Sequence, residues 1–425
     1  MATIGHQSTA GPRTAAGPHT AGNRILFLDN LRTAMIFLVV LYHAGAVYES
    51  SGIFASFWLV DDPATNDVVG LVNIVVDLFV MPTIFFVSGY LAPISLRRRP
   101  GWSFLAQRFR RLMVPWVIAM LTLVPLYKVI FLYSRGLPQQ HWTTYFHFSN
   151  GIFSQSWLWF LPVLFLFDAL FWVGAKARIR PPRISLPAAV AAVFVISVVY
   201  GFALSMTGHT GWTKTALLDF QNERLLVYFL VFLLGALSFR LRVFDRTPAG
   251  KGLYIAAACT AWIPLNVYII VLLNLILRPG QYFVSLTVDL LVLWIAAQLS
   301  MLTMLYLLVA GGRFWWNRQG RLGRALSESS YGVYIIHLVV VGGGALLLLN
   351  VAVPSLWKAV ILTLSAWVAS NVLVYGYREL VKRPLMALAT RRWRCWPRSP
   401  PSGTTVPASR QPPPSTCREG HERPF

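Results

Sequence analysis

Ten long apolar runs constrain the fold of this 425-residue sequence more than any other feature. Each run has about the 20 mostly apolar residues that a helix needs to cross a bilayer. Charged residues make up only 12% of the chain, against roughly 25% in a soluble domain. The sequence therefore predicts an all-α, polytopic membrane bundle of about ten transmembrane helices. The runs lie near residues 29–50, 70–92, 112–133, 157–175, 186–206, 223–241, 253–277, 283–309, 331–350 and 357–377.

Lysine and arginine are distributed unevenly between the loops, and this predicts the orientation of the chain. The loops after the second, fourth, sixth and eighth runs are rich in basic residues, whereas the other loops contain only Arg135, Lys214 and Arg278. Because short basic loops stay on the cytoplasmic side, both termini are expected in the cytoplasm and the protein in the inner membrane. Topology also explains the formal net charge of +22 without a nucleic-acid site.

The chain is predicted to have three parts. Residues 1–23 and 391–425 lack apolar periodicity and are expected to be disordered, the second as a cytoplasmic tail, while residues 24–390 form the membrane domain. The first part also lacks the apolar core of a cleavable signal peptide. The three cysteines show no paired or metal-binding spacing, so we expect no metal site and no tightly bound cofactor.

Two ionisable side chains lie inside the first apolar run, where such residues are costly and usually functional. Arg32 and His43 are eleven residues apart, so they share one helix face and lie about 16 Å apart along the axis. Arg32 is expected toward the cytoplasm. A neutral imidazole can take a proton from a hydroxyl, which makes His43 a candidate general base. Alternatively, Arg32 reaches the lipid headgroups and His43 bonds a backbone carbonyl.

Two further polar features lie toward the predicted cytoplasmic side. Ser88 and Gly89 interrupt an aromatic stretch of the second run, which indicates either ligand contact or close helix packing. Arg108 and Arg111 are one helical turn apart at the mouth of the third run, and paired arginines can bind phosphates through forked hydrogen bonds. Membrane topology and anionic lipid are the alternative explanation for basic residues in this region.

A polar strip opens the ninth run at roughly three-residue spacing, and it comprises Ser330, Tyr331, Tyr334 and His337. These side chains are candidates to line a tunnel for a donor substrate, or else to make structural hydrogen bonds. Because His337 is predicted to lie nearer the cytoplasm than His43, we do not expect the two histidines to touch.

Taken in order, several motifs resemble those of the acyltransferase-3 family of bacterial integral membrane O-acyltransferases. They are LDNLR followed by His43, FFVSGYL, Arg108-x-x-Arg111, LWFL and SYGVYIIH. The resemblance covers nearly the whole chain. It implies transfer of an acyl group from cytoplasmic acyl-CoA, a cosubstrate, to a hydroxyl of an extracytoplasmic carbohydrate or related acceptor. It also implies a catalytic role for His43 with Arg32 as its partner, and donor binding by the arginine pair and by Ser88 and Gly89.

One segment departs from the common family pattern GVDLFFVLSG. Here Asp77 lies eleven residues before Ser88, so no role is assigned to it, and the segment is more similar to the glucan-succinylating branch. The acyl group is left open between acetyl, succinyl and a longer chain.

Two other functions fit the same residues. A transporter or flippase would use the arginines to bind an anionic or sugar-linked substrate, although the sequence shows no internal repeat of the kind found in many transporters. A structural membrane subunit would use its polar residues only for helix contacts.

Overall fold

The computed structural model describes residues 25–50, 60–146, 155–177, 184–245 and 250–382, without the side chains of residues 145, 146 and 382. The predicted disordered segments 1–23 and 391–425 lie outside these residues. Within the described part, residues up to Tyr375 belong to one compact unit and residues 376–382 to a second.

The described residues form eleven α-helices and one β-hairpin. The helices are α1 (Leu26–Gly45), α2 (Asp67–Arg98), α3 (Trp102–Ser134), α4 (Phe160–Lys176), α5 (Leu186–Met206), α6 (Asn222–Arg240), α7 (Gly252–Thr260), α8 (Trp262–Leu277), α9 (Leu286–Trp315), α10 (Arg321–Leu348) and α11 (Ser355–Tyr377). Between α5 and α6, β1 (Trp212–Lys214) pairs antiparallel with β2 (Asp219–Gln221). Short 3-10 turns at Trp142–Phe146 and Ser156–Trp159 precede α4, and a π-helical turn at Arg378–Lys382 follows α11.

Ten helices in the described residues are long and apolar enough to cross a membrane, with α7 and α8 together counted as one span. This confirms the predicted fold class and number of spans. Several helices are longer than the apolar runs that predicted them. For example, α2 continues to Arg98 and α3 begins at Trp102, so most basic residues assigned to the second loop are helical. A helix satisfies its own backbone groups, so it does not have to end where the apolar sequence ends.

The prolines act differently according to their place in a helix. Pro264 lies in the seventh span, which divides at Ala261 into α7 and α8. A proline lacks the backbone N–H and clashes with the carbonyl four residues earlier, which here belongs to Thr260 at the end of α7. By contrast, α2 continues through Pro82. Pro162 lies in the first turn of α4, where no intrahelical donor is needed.

The second and sixth spans run in the same direction and touch through their backbones. Arg224 of α6 pairs with Asp77 of α2 at 2.7 Å. Further along both helices, a Cβ on Gly89 would lie only 1.9 Å from the carbonyl oxygen of Phe232. A Cβ on Gly235 would lie 2.2 Å from the main chain of α2. Backbones approach this closely only where small residues leave room, so the close packing that was one of the two alternatives for Gly89 is present.

A buried ion pair attaches the segment before α2 to the last span. Lys358 Nζ of α11 lies 2.8 Å from Asp62 Oδ2, and both side chains are almost fully buried. The same ammonium also donates to the carbonyl oxygen of Leu349 at 3.3 Å. The chain between α1 and α2 is therefore fixed to the bundle at one end.

The close approach of α2 and α6 predicts that Gly235→Ala destabilises the protein. The new methyl group would meet the carbonyl oxygen of Phe86, and overpacking of this kind typically costs roughly 1–3 kcal/mol. Thermal unfolding in detergent should therefore show a lower Tm. Gly343→Ala in α10 is the matched control, because no described heavy atom beyond its chain neighbours and the adjacent backbone of its own helix lies within 4 Å of its Cβ position. Equal Tm values for the two variants would contradict the close approach.

Candidate active site

Two histidines from different spans are in direct contact inside the bundle. His337 Nε2 lies 3.3 Å from His43 Nδ1, and both rings are buried. The expectation that they do not touch is therefore wrong. The expectation relied on a ninth apolar run that starts at residue 331, whereas the helix α10 begins at Arg321. His337 is thus 16 residues from the start of α10 and His43 is 17 residues from the start of α1, which places them at similar depth.

A second contact shows how α1 and α10 are aligned. Arg32 donates from its Nη2 to the backbone carbonyl of Ser327 at 3.1 Å, and this contact precedes the His43–His337 contact along both helices. The two helices therefore run in the same direction. Arg32 and His43 both face α10, which confirms that they share one face of α1. About 16 Å of helix separates them, so the catalytic role of Arg32 stays a prediction.

Backbone carbonyls determine which nitrogen of each histidine carries the proton. His43 Nδ1 lies 2.8 Å from the carbonyl oxygen of Val39, and His337 Nδ1 lies 2.7 Å from that of Tyr334. Because a carbonyl oxygen only accepts, each neutral ring has its proton on Nδ1 and its lone pair on Nε2. His43 Nδ1–H is therefore shared between the carbonyl of Val39, the nearer acceptor, and His337 Nε2, and His43 Nε2 is the basic nitrogen of the first ring.

His43 lines a cavity of about 240 Å³ that also contains the ion pair between α2 and α6. Asp77 and Arg224 both line this cavity, together with several aromatic side chains such as Trp159 and Tyr334. The cavity thus brings together a candidate base and a positively charged group that is held in place by a carboxylate. This combination can deprotonate a hydroxyl and stabilise a developing negative charge.

The β-hairpin covers one side of this cavity. Trp212 of β1 is a lining residue. The hairpin is fixed to the segment before α4, because the backbone N–H of Gln155 donates to Asp219 Oδ2 at 2.8 Å. Burial raises the pKa of the Asp219 carboxyl, and hydrogen bonds from the backbone of Gln155 and Thr215 oppose that rise.

The family model described as an acyltransferase domain, acyltransferase-3, matches residues 25–375. The chain belongs to the acyltransferase-3 family. No curated protein and no solved structure matches the chain. Family membership and the ten spans identify an acyl-transferring enzyme that is a multi-pass membrane protein.

The arginine pair of this acyltransferase has two different environments. Arg108 Nε lies 3.3 Å from Asp168 Oδ2, a carboxylate of α4 that is almost fully buried. Arg111 is exposed, and its backbone carbonyl accepts a hydrogen bond from Tyr331 Oη at 2.5 Å. Phosphate binding by the pair stays a prediction, with Arg111 the more accessible of the two.

The remaining residues of the polar strip make structural hydrogen bonds, one of the two alternatives for them. Ser330 Oγ donates to the carbonyl oxygen of Ser327 at 2.9 Å, within α10. Tyr334 Oη donates to the carbonyl oxygen of Trp157, and its side chain also lines the His43 cavity. Ser88 is half-buried beside Gly89. Donor binding by these residues stays a prediction.

Sequence reasoning missed two charged partners in this acyltransferase. Asp168 is the only acidic residue of the fourth apolar run, which was a usable signal. Arg224 lies at the edge of the sixth run, where a basic residue is normally assigned to the headgroup region. Only the packing of α6 against α2 shows that it pairs with Asp77.

Removal of one member of the Asp77–Arg224 pair should destabilise the acyltransferase. Arg224→Met leaves the Asp77 carboxylate unpaired, which at a buried site costs roughly 3–5 kcal/mol. About a fifth of each side chain remains exposed, so we expect a loss of stability near the lower end of this range. It would be measured as a fall in Tm. The double variant Asp77→Leu/Arg224→Met should recover most of the loss. A double variant as unstable as the single one would show that the pair has no energetic coupling.

Proposed function

We propose that this acyltransferase moves an acyl group from cytoplasmic acyl-CoA to a hydroxyl of an extracytoplasmic carbohydrate or related acceptor. The observation that carries the proposal is the buried His43–His337 contact at a cavity that also contains Arg224. Family membership gives the reaction class, and the histidine pair supplies the base that a hydroxyl acceptor requires.

In the proposed reaction, His43 Nε2 accepts the proton of the acceptor hydroxyl while the oxygen attacks the thioester carbonyl carbon. A carbon–oxygen bond forms, and the thioester oxygen becomes negatively charged in a tetrahedral intermediate. The carbon–sulfur bond then breaks, and His43 returns the proton to the coenzyme A thiolate. The products are an ester of the acceptor and free coenzyme A.

His337 acts in this proposal as a positioning residue that does not touch the substrate. Together with the carbonyl of Val39 it holds the His43 ring through Nδ1. When His43 becomes positively charged, Nδ1–H becomes a stronger donor, and hydrogen bonds from a charged donor are shorter and stronger than neutral ones. His337 therefore stabilises the protonated state of His43 that forms during the attack.

Arg224 is the proposed group for the negative charge of the intermediate. It lines the same cavity as His43, and Asp77 fixes its guanidinium at 2.7 Å. A charged donor that is already oriented needs little reorganisation when the oxyanion forms. This role makes Asp77 a second positioning residue.

Donor binding is proposed at the other end of α1 and α10. The exposed Arg111 and its neighbour Arg108 would contact the phosphates of coenzyme A, with Ser88, Gly89, Ser330, Tyr331 and Tyr334 along its path. Arg32 lies about 16 Å from His43 along α1, a length close to that of the pantetheine arm. The motif before Ser88 favours succinyl-CoA as one donor to test beside acetyl-CoA.

His43→Ala should abolish most of the coenzyme A release. In proteoliposomes supplied with acetyl- or succinyl-CoA and a glucan oligosaccharide, we expect a loss of roughly 10²- to 10⁴-fold, the usual contribution of a general base. Arg32→Ala should also reduce release, through weaker donor binding. His141→Ala is the control, because that histidine is exposed outside the bundle. Wild-type turnover by His43→Ala, at equal Tm, would disprove the proposed base.

His337→Ala separates the positioning role from a role in donor binding. We expect kcat to fall by about tenfold, which is about 1.4 kcal/mol of transition-state stabilisation, with little change in the KM for acyl-CoA. His337→Gln should restore part of the rate, because its amide oxygen can accept from His43 Nδ1–H. A raised KM for acyl-CoA with an unchanged kcat would instead assign His337 to the donor tunnel.

A further inference from the structure

A second cavity of about 230 Å³ lies beside the His43 cavity, between α2, α5, α6, α8 and α9. Arg224 and Tyr228 line both cavities. The two spaces therefore share a wall that consists of the charged group and one aromatic ring.

The side chain of Gln298 gives the first indication of what this cavity binds. Gln298 lines the cavity from α9 and is only 5% exposed. Among the described residues, no group forms a hydrogen bond to its Oε1 atom. A buried polar atom without a partner is destabilising, so an amide at a cavity wall indicates a ligand that completes its hydrogen bonds.

The chemistry of the amide and the charge of the wall restrict the ligand class. A hydroxyl can both donate and accept, so it satisfies the amide of Gln298 in either orientation, whereas an acyl chain offers no donor. Glu223 and Arg224 are the charged residues among the described lining residues, and Arg224 is already paired with Asp77, so the walls offer no uncompensated positive charge to an anion. A neutral ligand with hydroxyl groups fits these walls better than a phosphate or a carboxylate.

The shape of the cavity favours a single ring. Tyr228, Tyr268 and Trp294 supply flat walls, and the volume is below the roughly 300–1,000 Å³ of drug-sized sites. The indole of Trp294 is held firmly, because Nε1 donates to Ser205 Oγ at 2.8 Å. Its ring also packs on Gly201, where a Cβ would lie 2.5 Å from the indole.

We infer that the second cavity binds one neutral, hydroxyl-bearing ring, such as a sugar unit of the acceptor, and that the reacting hydroxyl extends past Arg224 and Tyr228 to His43. The role of this ring as an acceptor rests on the proposed function, whereas its binding in the cavity does not.

Photolabelling tests the binding directly. The full chain in nanodiscs would be irradiated with a diazirine derivative of methyl β-glucoside, and the labelled residues mapped by mass spectrometry. We expect saturable labelling of the segment of α9 that contains Trp294 and Gln298, with competition by unlabelled methyl β-glucoside. Absence of labelling there, or saturable labelling only at other sites, would overturn the inference.

Two variants and a matched control make the test specific. Gln298→Leu should weaken competition by the glucoside roughly 3- to 10-fold, the effect of one lost hydrogen bond. Gly201→Ala should also weaken it, by displacing the indole of Trp294 without removing a polar group. Ser300→Ala is the control, because Ser300 is buried on the same helix and is not a lining residue. Unchanged competition in both Gln298→Leu and Gly201→Ala would refute the site.

The failure of the binding site and the failure of the proposed function give different results. Labelling of the cavity without acyl transfer to the glucoside would support the inference and argue against the glucoside as acceptor in the proposed reaction. Acyl transfer to the glucoside with labelling only elsewhere would overturn the inference and leave the proposed reaction intact. In an active enzyme, Gln298→Leu should raise the acceptor KM and leave the KM for acyl-CoA unchanged.

Discussion

Charged side chains within a membrane bundle need partners, because lipid provides neither hydrogen bonds nor counter-ions. Asp77 and Arg224 satisfy this requirement for each other at 2.7 Å. The close contact at Gly89 lies twelve residues further along α2, which is about 18 Å of helix. Two contacts at this separation fix both the direction and the register of α6 on α2. The rest of the site depends on this register, because it places Arg224 at the wall of the His43 cavity.

The directions of the helix pairs agree with the alternation predicted from the basic loops. The first and ninth spans, α1 and α10, run in the same direction, as do the second and sixth spans, α2 and α6. Two spans that cross the membrane in the same direction must be separated along the chain by an odd number of other spans. Both pairs meet this condition. Side-chain contacts therefore support an odd number of spans between the members of each pair, whereas the total of ten rests on length and apolar composition. The cytoplasmic location of the termini stays a prediction.

Local periodicity predicted which residues share a face of one helix, but it did not predict which residues of different helices are in contact. The shared face of Arg32 and His43 followed from a spacing of eleven residues, which is close to three helical turns. The depth of His337 did not follow, because the polar first turns of α10 are helical but are not apolar. The pairing of Asp77 with Arg224 was also hidden, since Arg224 lies at the edge of its apolar run, where a basic residue is normally assigned to the headgroup region. Pairing between spans depends on tertiary packing, which a single sequence does not encode locally.

A second histidine is a suitable partner for a general base in this environment. A carboxylate in the place of His337 would stabilise a protonated His43 more strongly, but it would be a buried charge without a counter-ion before the reaction. A neutral imidazole accepts the same hydrogen bond and adds no charge to the resting site. Among the described lining residues, the only full charges are then Asp77 and Arg224, which already compensate each other. Under the proposed mechanism, a new charge appears in the cavity only when the acceptor hydroxyl is deprotonated, and both His337 and Arg224 are already oriented to stabilise it.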